Sequence, residues 1–175
     1  MQERVGLRVA TDGELRRRSW WLELIMSWGG LGATRQGASP FAWRNEHGRQ
    51  QAFSLLWLTG RLEWHPSPIA RAVAFLAANT SAVPKVTIPA PQVVHGMLGG
   101  DQAIRESPYG DVEAFWEDLV DAYRREIAGL VAAGAGYIQL DDTMIAFLCD
   151  PQLHESIRAW GQDCLLYTSD AADDT

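Results

Sequence analysis

Gly134-Ala135-Gly136-Tyr137-Ile138-Gln139-Leu140-Asp141-Asp142 follows directly on a stretch, Asp111–Ala133, in which Val112, Phe115, Trp116, Leu119, Val120, Tyr123, Ile127, Leu130 and Val131 recur at helical spacing. An apolar stripe of that period predicts a helix with one buried face. Asp111 and Glu113 suit the positive end of its dipole, and Gly134 suits its C-terminal cap. A glycine-capped helix running at once into a short hydrophobic strand, Tyr137–Leu140, is the helix-to-strand step of a βα unit. That strand breaks into two acids.

A second run does the same near the start of the chain. Leu7-Arg8-Val9-Ala10-Thr11 leads into Asp12-Gly13-Glu14. In parallel α/β proteins the strands are buried by helices and their C-terminal ends open onto the site. Two such ends can set Asp12, Glu14, Asp141 and Asp142 around one small polar substrate. Each outer acid also has a local explanation. Asp12 can cap a turn with Gly13, and Asp142 can cap a helix starting at Thr143. Glu14 and Asp141 have no comparable local task, which makes them the stronger ligand candidates.

Strand and helix alternate elsewhere. Leu15 to Trp28 reads as a short helix, broken by Gly29-Gly30-Leu31-Gly32. Between Phe41 and Trp64, Asn45-Glu46-His47-Gly48 is a turn signal and Phe53–Leu58 reads as a strand, so a hairpin-like excursion is expected. Pro66 and Pro68 open a helix with Ile69, Ala72, Val73 and Leu76 on one face. Lys85-Val86-Thr87-Ile88 is a third short strand, stopped by Pro89-Ala90-Pro91.

Composition narrows the class. A chain of 175 residues is long enough to bury a real core. It is well short of the ~250 residues of a closed eight-stranded β/α barrel. A net charge of −7 argues against a nucleic-acid partner. No secretory or membrane-spanning segment is recognisable, so a cytoplasmic protein is expected. Residues 164–175, Cys164 to Thr175, lack any amphipathic period and resemble a translated sequencing adapter; they are expected to be a non-native tail. Residues 1–163 then carry −4, with Cys149 as the single thiol.

The common chemical motifs are missing: no G-x-S-x-G, no P-loop, no G-x-G-x-x-G. His47, His65, His95 and His154 form no close pair, and Cys149 near His154 reads as packing rather than as a ligand. Arg16-Arg17-Arg18 is either a solvated basic turn or a cradle for an anionic substrate. The eight tryptophans can stack a flat heterocycle or fill core and rim.

Four motifs in this order carry a resemblance: Val9-Ala10-Thr11-Asp12-Gly13-Glu14, Arg17-Arg18-Ser19-Trp20-Trp21, Thr87-Ile88-Pro89-Ala90-Pro91 and Tyr137-Ile138-Gln139-Leu140-Asp141-Asp142-Thr143. Together they resemble the cobalamin-independent methionine synthase family, specifically its short single-barrel members related to the catalytic C-terminal domain. The resemblance runs over 1–163. It implies an α/β fold: a partial (β/α)8 TIM-type barrel of about strands two to four, with the β-hairpin excursion. It also implies a zinc-dependent enzyme that moves a methyl group from a methyltetrahydrofolate-type donor to the thiol of homocysteine. Glu14 and Asp141 match the family positions that hold the substrate's ammonium group, and Asp12 and Asp142 stand as further substrate-binding candidates. The family's first strand and its metal ligands, a His-x-Cys pair with further Glu and Cys, have no counterpart in 1–163. Zinc is therefore expected only in a longer parent, with no metal ligand and no activity in this chain. Two other readings remain open. One is a related barrel that alkylates another thiol or decarboxylates porphyrins; the other is a non-catalytic binding domain.

Overall fold

The computed structural model describes residues 2–33, 42–44, 50–52 and 56–144. After a 3-10 turn at Glu3–Val5 come β1 (Val9–Ala10), α1 (Leu22–Ile25) and β2 (Gly29–Ala33). β3 (Ala42–Arg44), β4 (Gln50–Ala52) and β5 (Leu56–Glu63) follow, then α2 (Ile69–Asn79) and β6 (Val83–Pro89). The described part closes with α3 (Pro91–Leu98), α4 (Gly100–Arg105), α5 (Val112–Ala132) and β7 (Tyr137–Asp141).

The three strands expected from sequence lie side by side. β6 is central, with β1 on one side and β7 on the other, and both pairings are parallel. β7 runs in full register with β6, from Lys85 opposite Tyr137 to Pro89 opposite Asp141. β1 is shorter than the expected Leu7–Thr11 and pairs only Val9 with Val83 and Ala10 with Pro84. The Val83 amide donates to the Arg8 carbonyl at 3.0 Å, whereas Pro84 faces the other neighbour, its carbonyl accepting from the Gly136 amide at 2.9 Å. The sheet is open and has three strands among the described residues, a mixed α/β arrangement that does not itself close into a barrel.

α5 is the helix that the apolar stripe predicts. Asp111 caps it, its side chain accepting from the Glu113 amide at 3.1 Å. At the other end Gly134 takes the left-handed conformation at φ 103°. Its amide reaches the Val131 carbonyl, and the next amide, of Ala135, reaches Leu130. This double bond pattern satisfies the last carbonyls and turns the chain into β7. Phe115, Leu119, Tyr123 and Leu130 are buried as the stripe requires, whereas Val120 and Val131 face outward.

Several local expectations are corrected. The helix expected over Leu15–Trp28 is reduced to the single turn of α1. Gly29-Gly30-Leu31-Gly32 does not end an element but forms β2, antiparallel to β5. The partner strand runs over Leu56–Glu63, later and longer than the expected Phe53–Leu58, with Leu56, Leu58 and Leu62 buried on alternate positions. β3 and β4 pair antiparallel as an excursion should, while the turn signal at 45–49 lies outside the described residues. Pro91, read as a stop, is the first residue of α3, where its missing N–H costs nothing.

One core unites the elements: Leu24, Ile25, Ile88, Val93, Val94, Ile104, Phe115, Leu119 and Leu130 are fully enclosed. Within it sits a buried acid, Glu126, whose carboxylate accepts from the Ser67 hydroxyl and from the Trp64 indole N–H (3.1 Å). These bonds hold the segment before α2 against α5, and they satisfy a group that burial would otherwise penalise. Trp21 and Trp28 belong to the core, and Trp116 is half-buried, stacked on His95 at 5.1 Å. Cys149, His154 and the tail at 164–175 lie outside the described residues, as does the boundary at 163.

Candidate functional site

The C-terminal ends of β1, β6 and β7 converge on one side of the sheet. Beyond β1 the chain turns tightly. Thr11 Oγ1 accepts from the Gly13 amide (3.2 Å) and Asp12 Oδ1 from the Glu14 amide (3.0 Å). Asp12 thus performs the local turn-making task that its neighbour Gly13 announced. Gly13 and then Glu14 both adopt left-handed backbone, at φ 68° and 56°. For glycine that is ordinary. For a residue with a side chain it is uncommon and needs support from its surroundings.

That support comes from the central strand. Thr87 Oγ1 of β6 donates to Glu14 Oε1 at 2.5 Å, and Arg17 Nη1 lies 3.4 Å from the same oxygen. Arg17 also donates to the Thr87 carbonyl at 2.7 Å, and its side chain is only 6% exposed. Of the basic triplet, then, Arg17 is neither solvated nor waiting for a ligand. It is a buried strut that fixes the Glu14 loop to β6.

Asp141 ends β7. Its carbonyl accepts from the Ala90 amide at 2.9 Å, and Gln139 Nε2 donates to its Oδ1 at 2.5 Å. Thr87 and Gln139 are paired across the ladder, so their side chains rise from the same face of the sheet. The carboxylates they hold, Glu14 and Asp141, therefore share that face and that end. Asp142 does something different. Its Oδ1 accepts from the Met144 amide at 3.2 Å, the capping role open to it from sequence.

All four acids are bonded through one oxygen, Asp12 and Asp142 to loop backbone amides and Glu14 and Asp141 to side chains of the sheet. Glu14 Oε2 and Asp141 Oδ2 have no hydrogen-bond partner among the described residues, and each can still accept from a bound cationic group. Thr87, Gln139 and Arg17 position the pair, a role that sequence reasoning did not assign to them. A polar residue on alternate positions of an otherwise apolar strand is the signal that marks Thr87 and Gln139.

No cluster of three or more His, Cys, Asp or Glu residues suited to a metal ion occurs among the described residues. His95, on α3, pairs instead with Asp101 at 2.8 Å. Nor is any described helix long and apolar enough to cross a membrane.

A parallel sheet flanked by helices, with acids presented at the strand ends, places the chain among α/β proteins of the parallel class. Comparison with known proteins narrows that class. Over 91% of its length the chain superposes on a protein of Listeria monocytogenes provisionally named a vitamin-B12 independent methionine synthase, with a TM-score of 0.62, 29% identity and 45% of that chain covered. A B12-independent methionine synthase from Shewanella sp. W3-18-1, solved in complex with selenomethionine, shares the fold at a TM-score of 0.58 and 20% identity, over 91% of this chain and 42% of that one. Among curated proteins, the uncharacterized YxjH of Bacillus subtilis (strain 168) is 33% identical over 168 residues, and YxjG of the same strain is 29% identical over 163. These matches take in 93% and 91% of this chain but 41% of each relative, so the chain spans about two fifths of their length. No protein-family model matches. The chain is methionine synthase-like in fold.

Proposed function

We propose that this chain is the amino-acid-holding part of a zinc-dependent methyltransferase of methionine synthesis, and that Glu14 and Asp141 bind the ammonium group of homocysteine. The observation that carries this reading is the pairing of two carboxylates on one face of the sheet, each fixed through one oxygen and open at the other. An ammonium donates three hydrogen bonds, and charge-assisted bonds to carboxylates are about twice as strong as neutral ones. Two such acids select an amino acid over a plain thiol. The left-handed Glu14 agrees with a loop held in a costly conformation for the sake of a ligand.

The methyl donor proposed is of the methyltetrahydrofolate type, and the acceptor is the homocysteine thiol. Zinc, where bound, would favour the deprotonated form of that thiol at neutral pH. The role proposed for the described residues is to hold and orient the amino acid. By itself the chain is proposed to be inactive, with transfer completed in a longer parent.

The test uses a full-length protein that carries this segment, titrated calorimetrically with homocysteine and with 4-mercaptobutanoate, which lacks the ammonium. Asp141→Asn and Glu14→Gln should each weaken homocysteine binding by roughly 1.5–3 kcal/mol, the scale of a hydrogen bond to a charged group. Affinity for 4-mercaptobutanoate and bound zinc should stay unchanged. Equal losses for both ligands, or loss of zinc in Asp141→Asn, would overturn the assignment.

A further inference from the structure

A cleft of about 360 Å³ opens between the loop that follows β1 and the first turns of α2. It adjoins the pair just described: neither Glu14 nor Asp141 lines it, but Asp12 and Arg17, which both bond to Glu14, do. Three guanidinium groups do: Arg16, Arg17 and Arg71. Arg17 is occupied by the Thr87 carbonyl. Arg16 and Arg71 are exposed and have no acidic partner within ion-pair distance among the described residues. Arg16 is nevertheless held in place, its guanidinium lying 5.2 Å from the centre of the Phe75 ring.

Two acids also line the cleft and bring negative charge to it, each bonded through one oxygen to loop backbone. Asp12 accepts from the Glu14 amide, and Glu23 accepts from the Arg18 amide at 3.3 Å. Arg71 lies in the first turn of α2, an eleven-residue helix with no acid in that turn and no side-chain cap. The dipole of that helix adds to the positive potential of the guanidinium groups. Beside the charges the wall is apolar, formed by Ile69, Ala72 and Phe75. Three guanidinium groups against two carboxylates leave the lining with one net positive charge in a chain of net charge −7, and two of the three have no acidic partner among the described residues.

We infer that this cleft is a binding site for a small organic anion, with a carboxylate or phosphate monoester between Arg16 and Arg71 and a flat or apolar body on Ile69, Ala72 and Phe75. Guanidinium forks match the oxygens of either anion in a bidentate way. The apolar wall distinguishes an organic anion from a free inorganic one.

Titration of the chain with phenyl phosphate, phenylacetate, inorganic phosphate and benzyl alcohol, followed by backbone amide shifts in NMR, tests the site. Phenyl phosphate or phenylacetate should saturate with shifts centred on α2 and residues 12–18, and whichever binds more tightly identifies the anion class. Benzyl alcohol should not saturate. Arg71→Gln and Arg16→Gln should each weaken the favoured probe fivefold or more, with melting temperature unchanged because both side chains are exposed. Phe75→Ala should weaken the aromatic probes more than inorganic phosphate, since the ring both carries the apolar body and holds Arg16. Unaltered affinity in both arginine variants, shifts scattered over other surfaces, or equal binding of inorganic phosphate and phenyl phosphate would each overturn the inference.

Discussion

Glu3 shows how much one exposed side chain can organise. Its carboxylate accepts from the Thr80 hydroxyl and from the amides of Ser81 (2.7 Å) and Ala82 (3.2 Å), tying the N-terminal turn to the loop between α2 and β6. These donors, Thr80 foremost, hold its carboxyl at about 2, down from 4.5. A carboxyl depressed in the folded state adds stability that is fully present above about pH 4.5 and is lost as pH falls through 2. Wild type should therefore melt above Glu3→Gln at pH 6, and the gap should close as the pH approaches 2. A gap that stays constant across that range would show that the bonds to charge are not responsible. The same scale accounts for Glu14: a left-handed residue is tolerated because Thr87 and Arg17 hold its side chain from the neighbouring strand.

At the scale of elements, β2 is the instructive case. Gly30 has φ 82°, and a Cβ there would stand 2.1 Å from the Arg61 carbonyl oxygen of β5. The glycine is needed for the close approach of two backbones at the bulge between Gly29 and Leu31. Gly30→Ala should lower the unfolding free energy by more than about 2 kcal/mol, since neither the conformation nor the contact can relax cheaply. Gly60→Ala, with open space around its Cβ, should change stability by less than about 1 kcal/mol. Denaturant titration of the two variants checks the contrast, and similar losses in both would refute it. A second tie anchors the same ribbon: Asp118 on α5 accepts from Arg61 (2.9 Å) and from the Tyr109 hydroxyl (2.8 Å). Those two donors, Arg61 first, keep the Asp118 carboxyl below its usual range, while burial pushes the Tyr109 hydroxyl up to about 12.

For the molecule as a whole, the open sheet has a physical consequence. Among the described residues, β1 and β7 are each paired on one side only. Leu7, Tyr137 and Leu140, near those edges, are roughly half exposed, at 51%, 47% and 47%. Unpaired strand edges flanked by exposed apolar side chains template association with other chains. The chain should self-associate as its concentration rises, and Leu140→Lys should shift that onset upward. Sedimentation velocity across a concentration series reads both effects; a monomer throughout would contradict the argument.

What could be read along the chain was whatever neighbours in sequence decide. The stripe from Val112 to Leu130, the caps at Asp111 and Gly134, and the β-branched core of β6 follow from periodicity and local backbone preference, which act over a few residues. The turn at Asp12-Gly13 follows in the same way. So three short strands of a parallel sheet, two of them ending in acids, were legible in advance. Gly29–Ala33 was not, because glycines favour a break until a partner strand, Leu56–Glu63, far along the chain offers its backbone. Nor was α3, whose Pro91 serves equally as a stop or as a first helical residue until packing chooses. The candidate site divides along the same line. Glu14 and Asp141 were singled out as acids without local tasks, yet Arg17 and Gln139, three and two residues away, bond to them, and Thr87, 73 residues from Glu14, acquires its role only when folding brings β6 alongside the loop. Arg17 likewise becomes a strut rather than a basic surface residue through a contact 70 residues away. Contacts of that range are set by strand register and burial, which are properties of the assembled sheet and not of any stretch within it.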